Sequence, residues 1–382
     1  MKIGLALSGG GVRATVFHLG VLARVAESPR WRDISFLSTV SGGSLCAALV
    51  FQKAGQTWPT SDQFARMCLP NIKKLLTSYN LEGQYKLRLV NPYWWIHGRA
   101  SLIAKLMREH WGVTGNVSQM PDSPQSPRWE ICATCYETGK CWRFSRKRMG
   151  DFLTNYVVTP NFPLAEAAAA SAAVPGLIGP LKLKASKYTW HKYPPAGDEY
   201  PMAGREPTDP AEPLAPRLTL WDGGVYDNLG MEPIFKLQGR FRDEVDFLIV
   251  SDASRPLGKQ FRRFQFRIPP YVPPFRLIDA ATDQVRALRV RSFIGFLDKN
   301  PRSGLVLRMG NTVDQILGKA KKQRPTKWDG KSFLDEASVQ MAAGMETTLR
   351  KLTSDEFDRL SNHGYEVAEA TLYAYDHTSF DV

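Results

Sequence analysis

Residues 34–55 read ISFLSTVSGGSLCAALVFQKAG. The first seven are an apolar run without helical spacing, the pattern of a buried strand. The run stops at Ser41-Gly42-Gly43, and SLCAALVFQK then stays largely apolar up to Gly55, which reads as a helix with a glycine stop. The chain ahead repeats the plan. KIGLALS, residues 2–8, is a second buried strand; Gly9, Gly10 and Gly11 follow; and VRATVFHLGVLARVAES places Val16, Leu19, Val21, Leu22 and Val25 at helical spacing. Together these segments predict a β-α-β-α unit with a glycine loop at each strand-to-helix turn. In such units the strands are parallel and ligands gather beyond their carboxyl ends, so the expected class is α/β.

Both glycine turns suit acyl-transfer chemistry. A strained turn that exposes a nucleophile is spelled G-x-S-x-G; Ser41 has Gly43 after it but Thr39 before, whereas Ser44 has Gly42 before it but Cys46 after. Ser41 directly ends the strand and is followed by small residues, which makes it the candidate nucleophile. Ser44 falls in the first helical turn, where capping or close packing is its plainer role. A purely structural Ser-Gly-Gly turn fits the same letters. The backbone N–H groups of Gly9, Gly10 and Gly11, with Arg13 two residues on, are candidate oxyanion donors at a helix start. The same GGGVRA also satisfies a dinucleotide fingerprint, which asks for an acid about 20 residues on at the end of the second strand. Asp33 has nearly that spacing but precedes the strand. The base for Ser41 is expected at another strand end, and RLTLWDGG supplies Asp222; Asp227 reads as a turn or cap residue. A Ser-Asp-His order with His363 or His377 is also present, though both sit in helical or tail sequence, and His18 falls inside the first helix as a packing residue.

The remaining chain bounds the alternatives. At 382 residues with net charge +13, it favours anionic partners without choosing among them. It holds no apolar run long enough to span a bilayer, and its start is a poor signal peptide and a good strand, so the expected location is cytoplasmic. Five cysteines do not suggest a disulfide framework; Cys132, Cys135 and Cys141 lie in a predicted hairpin over 129–145, whose alternation sends the first two to opposite faces. No metal, cofactor or nucleic acid is expected. Residues 61–115 read as helical, 183–217 as an exposed Pro- and Gly-rich insertion loop, and the tail from Ser332 as two or three helices. The chain therefore divides into a core over 1–255 and a basic, helical region over 256–382.

Four blocks, in order, resemble the patatin-like phospholipases. LSGGGVRATVFHLGVL is similar to the family's glycine-rich oxyanion block, TVSGGS to its elbow, AAAASAAVPGLIGP to its Ala/Ser-rich helix entering a turn at Ser171–Pro175, and WDGGVYDNLG to its aspartate block. The resemblance implies a three-layer α/β/α fold with a central, mostly parallel sheet, here carrying a helical, basic C-terminal extension. It also implies a Ser41-Asp222 dyad without histidine, an acyl-enzyme, and a phospholipid or lysophospholipid substrate. Thr39 and Ala14 stand where the family usually has glycine. For a membrane-lipid substrate, peripheral contact with an anionic membrane is expected: Arg286 and Arg289 share a helical face, Arg262, Arg263 and Arg267 precede them, and Trp94 and Trp95 suit the head-group level. The insertion ahead of Asp222 is a candidate lid.

Overall fold

The order of strands follows from the two glycine units lying side by side. The computed structural model describes residues 1–94, 98–123, 125–194, 206–242, 245–255, 274–376 and 380. In chain order the elements that matter are β1 (Ile3–Leu7), α1 (Gly11–Ala26), β2 (Ile34–Val40), α2 (Gly42–Lys53), α3 (Leu81–Arg88), α4 (Arg99–Leu106), β3 (Arg128–Cys135), β4 (Cys141–Ser145), β5 (Arg148–Asp151) and β6 (Asn155–Val158). Then come α5 (Leu164–Ser171), β7 (Leu181–Lys184), β8 (Trp190–Lys192), β9 (Asp209–Ala211), β10 (Arg217–Asp222), β11 (Phe247–Asp252), α6 (Pro274–Lys299), β12 (Gly304–Arg308) and α7 (Ser354–Asp376). One sheet runs β12-β11-β1-β2-β3-β4-β5-β6-β8-β9, with β10 on β3 and β7 on β10. Its centre, β12 through β3, is parallel; the hairpins beyond β3 extend it antiparallel.

Strand β3 is longer than its neighbour, and this decides where the site forms. Its first half pairs with β2 up to Val40 opposite Cys132, and its second half pairs with β10, Asp222 lying opposite Ala133. Thus β2 and β10 meet end to end along one side of β3. Ser41, the residue after β2, and Asp222, the last of β10, are brought together although 181 positions apart in sequence.

Two apolar layers cover the sheet. Ile3, Leu5, Leu7 and Leu37 face α1, α2 and α5 on one side. Ala6, Phe36, Leu248 and Val250 face Leu229, Met231, Phe235 and Phe293 of α6 on the other. The result is the expected α/β/α arrangement, with helices in the C-terminal region. Helix α7 lies across α1 at backbone contact: a Cβ on Gly20 would strike the Ser361 carbonyl, and one on Gly364 the Phe17 carbonyl. A buried ion pair, Arg24–Glu369, ties the same helices. Among the described residues, no helix is long and apolar enough to cross a membrane.

Two expectations are corrected. Residues 183–217 are not one exposed loop, since β7 ends there, β8 and β9 pair with each other, and β8 extends the sheet from β6. Trp190 is buried and its indole donates to the Ala185 carbonyl at 2.9 Å. Strands of three residues are too short to show a period, and Pro210 is tolerated because β9 is an edge. Arg286 and Arg289 do share a face of α6, but it points inward. Arg286 bonds Asp252 at 2.9 Å and Asp283 at 2.6 Å, and Arg289 bonds Glu232 at 2.9 Å, 3.5 Å from Asp227. Trp95, Arg262, Arg263, Arg267 and His377 lie outside the described residues.

Candidate active site

Ser41 sits where β2 turns into α2 with φ 49° and ψ −116°, a left-handed conformation that costs a non-glycine residue strain. The turn is clamped from several sides. The Ser41 amide donates to Ser171 Oγ at 2.9 Å, the Gly43 amide donates to the Ser8 carbonyl at 3.0 Å, and Ser171 Oγ donates to the Cys132 carbonyl at 2.6 Å. Ser41 makes no capping bond to its own helix, which leaves its hydroxyl available. Ser44 is engaged instead: its hydroxyl donates to Thr39 Oγ1 at 3.0 Å and lies 2.8 Å from Ser171 Oγ. Thr39 also accepts from the Trp129 indole at 3.0 Å. The bulkier residue at this elbow position is therefore built in, with its hydroxyl satisfied.

Asp222 is buried at the end of β10, its amide donating to the Ala173 carbonyl at 3.1 Å. Its Oδ1 accepts the Gly224 amide at 2.6 Å. Oδ2 is buried without an aligned partner among the described residues, while the Ser41 hydroxyl stands close enough to hydrogen-bond the carboxyl and hold it down. Such loose contact is common before substrate enters. Burial outweighs both bonds and pushes the carboxyl up to about 7.

The glycine loop crosses this turn, and its members do different things. Gly9 supplies space: a Cβ there would strike Asn228 Oδ1 and come within 3.0 Å of the Ser41 Cβ. Its amide is already used, donating to the Asn228 carbonyl at 3.0 Å. The amides of Gly10 and Gly11 have no acceptor among the described residues. They are thus the donors with capacity left for an oxyanion. Arg13 is buried behind the loop, its guanidinium donating to the carbonyls of Met345 at 2.5 Å and Ala253 at 3.1 Å. Burial and the nearby Arg255 lower it to about 10. It braces the loop against the C-terminal region. Ala14 fits beneath it with no exposure, its Cβ 3.1 Å from where a Gly10 Cβ would stand.

The other candidates lie elsewhere. His18 is buried between Ser251 Oγ at 2.8 Å and the Ser8 carbonyl at 2.9 Å, and burial lowers it to about 4. His363 accepts the Gly310 amide at 2.9 Å and packs on Phe17. Neither is hydrogen-bonded to Asp222. Asp33 lies before β2, at the opposite end from the glycine loop, and pairs with Arg30 at 2.9 Å, so the dinucleotide fingerprint has no acid where it needs one. Asp227 caps its own turn, accepting the Leu229 and Glu232 amides. Cys132 and Cys135 point to opposite faces of β3 as the alternation requires.

Two residues that hold the site were given no role from sequence. Ser171 clamps the Ser41 amide and accepts the Gly223 amide at 3.1 Å through its carbonyl; the lone hydroxyl within AAAASAAV was the available signal. Asn228 joins the aspartate loop to Gly9, and its side chain donates to Ser254 Oγ at 2.9 Å. That role depends on the loop folding back, which no local pattern announces.

The chain is similar to known proteins over part of its length. A protein from Pyricularia oryzae named as containing a patatin-like phospholipase domain is 26% identical over 200 residues, 49% of this chain and 21% of its own length. A similarly named protein of Neurospora crassa is 28% identical over 196 residues, 48% of this chain and 19% of its own. The match thus spans about a fifth of these relatives. Among solved structures, human GIVD cytosolic phospholipase A2 superposes with a TM-score of 0.51 at 14% identity, covering 98% of this chain and 60% of that one, which shows a shared fold. The sequence profile described as patatin-like phospholipase matches residues 5–235, taking in both glycine turns, Ser41 and Asp222, and the chain belongs to that family.

Proposed function

We propose that the chain is a lipid acyl hydrolase of the phospholipase A or lysophospholipase type that works through a Ser41-Asp222 dyad. The observation that carries this reading is the pairing of a strained, uncapped serine with a buried carboxylate whose second oxygen has no other partner among the described residues. Asp222 removes the Ser41 proton as Oγ attacks the ester carbonyl, and the amides of Gly10 and Gly11 hold the oxyanion. The alcohol leaves with a proton from Asp222. Water then attacks the acyl-serine with Asp222 again as base, releasing fatty acid and restoring both groups. A base near neutrality is matched to this work, whereas an ordinary carboxyl would be too weak. Arg13 acts here as a positioning residue for the loop.

The substrate in this reading is a phospholipid or lysophospholipid, presented at a membrane that the protein meets peripherally. A cytoplasmic location accords with five free thiols, four of them buried. The test is covalent. A fluorophosphonate probe labels the wild type and Ser44→Ala, fails to label Ser41→Ala, and fatty acid release falls at least about 1,000-fold in Ser41→Ala and Asp222→Asn. Labelling retained in Ser41→Ala sinks the assignment of the nucleophile.

A further inference from the structure

Helix α3, which contacts the loop leading to Asp222, ends in an exposed apolar patch. The C-terminal end of α3 and the turn after it expose Leu87 (66%), Val90 (82%) and Tyr93 (50%). With Trp94, Arg88 and Lys105 they line a groove of about 770 Å³. Tyr93 meets Trp94 edge-on with ring centres 5.0 Å apart, and the Lys105 ammonium lies 5.8 Å from the Trp94 ring centre. Arg88 at 2.8 Å and Lys105 at 3.7 Å share one carboxylate, Glu109, which leaves the rim with surplus positive charge. Aliphatic tips, amphipathic aromatics and cations are the side-chain types that suit, respectively, the acyl chains, the interface and the head groups of an anionic bilayer.

The patch is also joined to the dyad. Tyr85, on α3, is buried and donates through its hydroxyl to the Ile178 carbonyl at 2.8 Å. Residues 172–180 run from that contact back to Ala173, whose carbonyl accepts the Asp222 amide. Leu177 on the same loop is 40% exposed.

We infer that the α3 end, Leu87 to Trp94 with Arg88 and Lys105, is the surface that docks on anionic phospholipid membranes and sets the loop 172–180 and the dyad against the lipid. The inference rests on the lipid-hydrolase reading for its purpose, but its geometry is separate from the dyad. It replaces the inward-facing Arg286 and Arg289 as the contact.

The experiment uses the whole chain and vesicles of phosphatidylcholine with phosphatidylglycerol. In the double variant Leu87→Glu, Val90→Glu, co-flotation falls at least tenfold. Its ratio of vesicle-phospholipid to soluble short-chain ester hydrolysis falls by a similar factor, with the melting temperature held. Ser41→Ala floats like the wild type. Unchanged flotation of the double variant overturns the docking surface. So does a wild type that sediments as a dimer which the substitutions split, because the patch is then a contact between copies. If the wild type floats normally but hydrolyses neither ester, the lipid-hydrolase reading fails while the docking result stands.

Discussion

Asp222 illustrates how one residue trades stability for chemistry. Burial favours its protonated form and raises the carboxyl to about 7 from an ordinary value near 4. The stability this protonated form gives the fold is complete below about pH 4 and is lost as pH rises through about 7. Asp222→Asn removes that dependence. The variant is therefore expected to unfold at higher denaturant than the wild type at pH 8.5, with an advantage of up to about 4 kcal/mol that shrinks towards pH 4. Activity runs the other way, because the base must be ionised: kcat/KM of the wild type on a soluble ester should fall about tenfold per pH unit below about 7. Paired denaturation and rate profiles check both. A rate that stays flat down to pH 4, or an Asn variant whose advantage is the same at every pH, contradicts the buried base.

At the scale of elements, the contact of α1 with α7 is the one most exposed to a single substitution. Gly20 and Gly364 each face the backbone of the other helix, and backbone cannot rotate away as a side chain does. Gly20→Val is expected to force the helices apart and cost about 3 kcal/mol or more. Gly318 is the contrast: it sits in the helix Val313–Ala320 with nothing near its missing Cβ, so Gly318→Ala should gain about 0.5–1 kcal/mol from helix propensity. Thermal melts of the two variants separate packing from propensity. The same contrast explains what sequence could show. Strand β2, the elbow and α2 were legible because periodicity and punctuation are local, and Asp222 because WDGG marks a strand end. Ser171, Asn228 and the brace by Arg13 were not, since each depends on a partner remote in sequence: Ser171 on Ser41, 130 positions away, Asn228 on Gly9, and Arg13 on Ala253 and Met345, 240 and 332 positions away. The three-residue strands β8 and β9 carry too few residues for a period at all.

For the whole molecule, net charge +13 favours anionic surfaces but does not say which face meets them. Arg286 and Arg289 count in that total, yet their charge is spent on Asp252, Asp283, Asp227 and Glu232 in fixing α6 over the sheet. What remains for a membrane is the unbalanced surface charge, including the rim of the α3 patch, and it acts through solvent. Such attraction is screened: the Debye length falls from about 10 Å at about 0.1 M salt to about 3 Å at about 1 M. Apolar insertion by Leu87 and Val90 is not weakened in this way. The two contributions therefore separate by salt. Partition onto vesicles rich in phosphatidylglycerol should drop about tenfold over that range, as expected for surface cations worth about 1 kcal/mol each. Partition onto pure phosphatidylcholine vesicles should be weaker at low salt and nearly constant across it. Equal salt sensitivity on both vesicles would mean that the charge acts within the protein rather than on the lipid, and the basic excess would then belong to the fold.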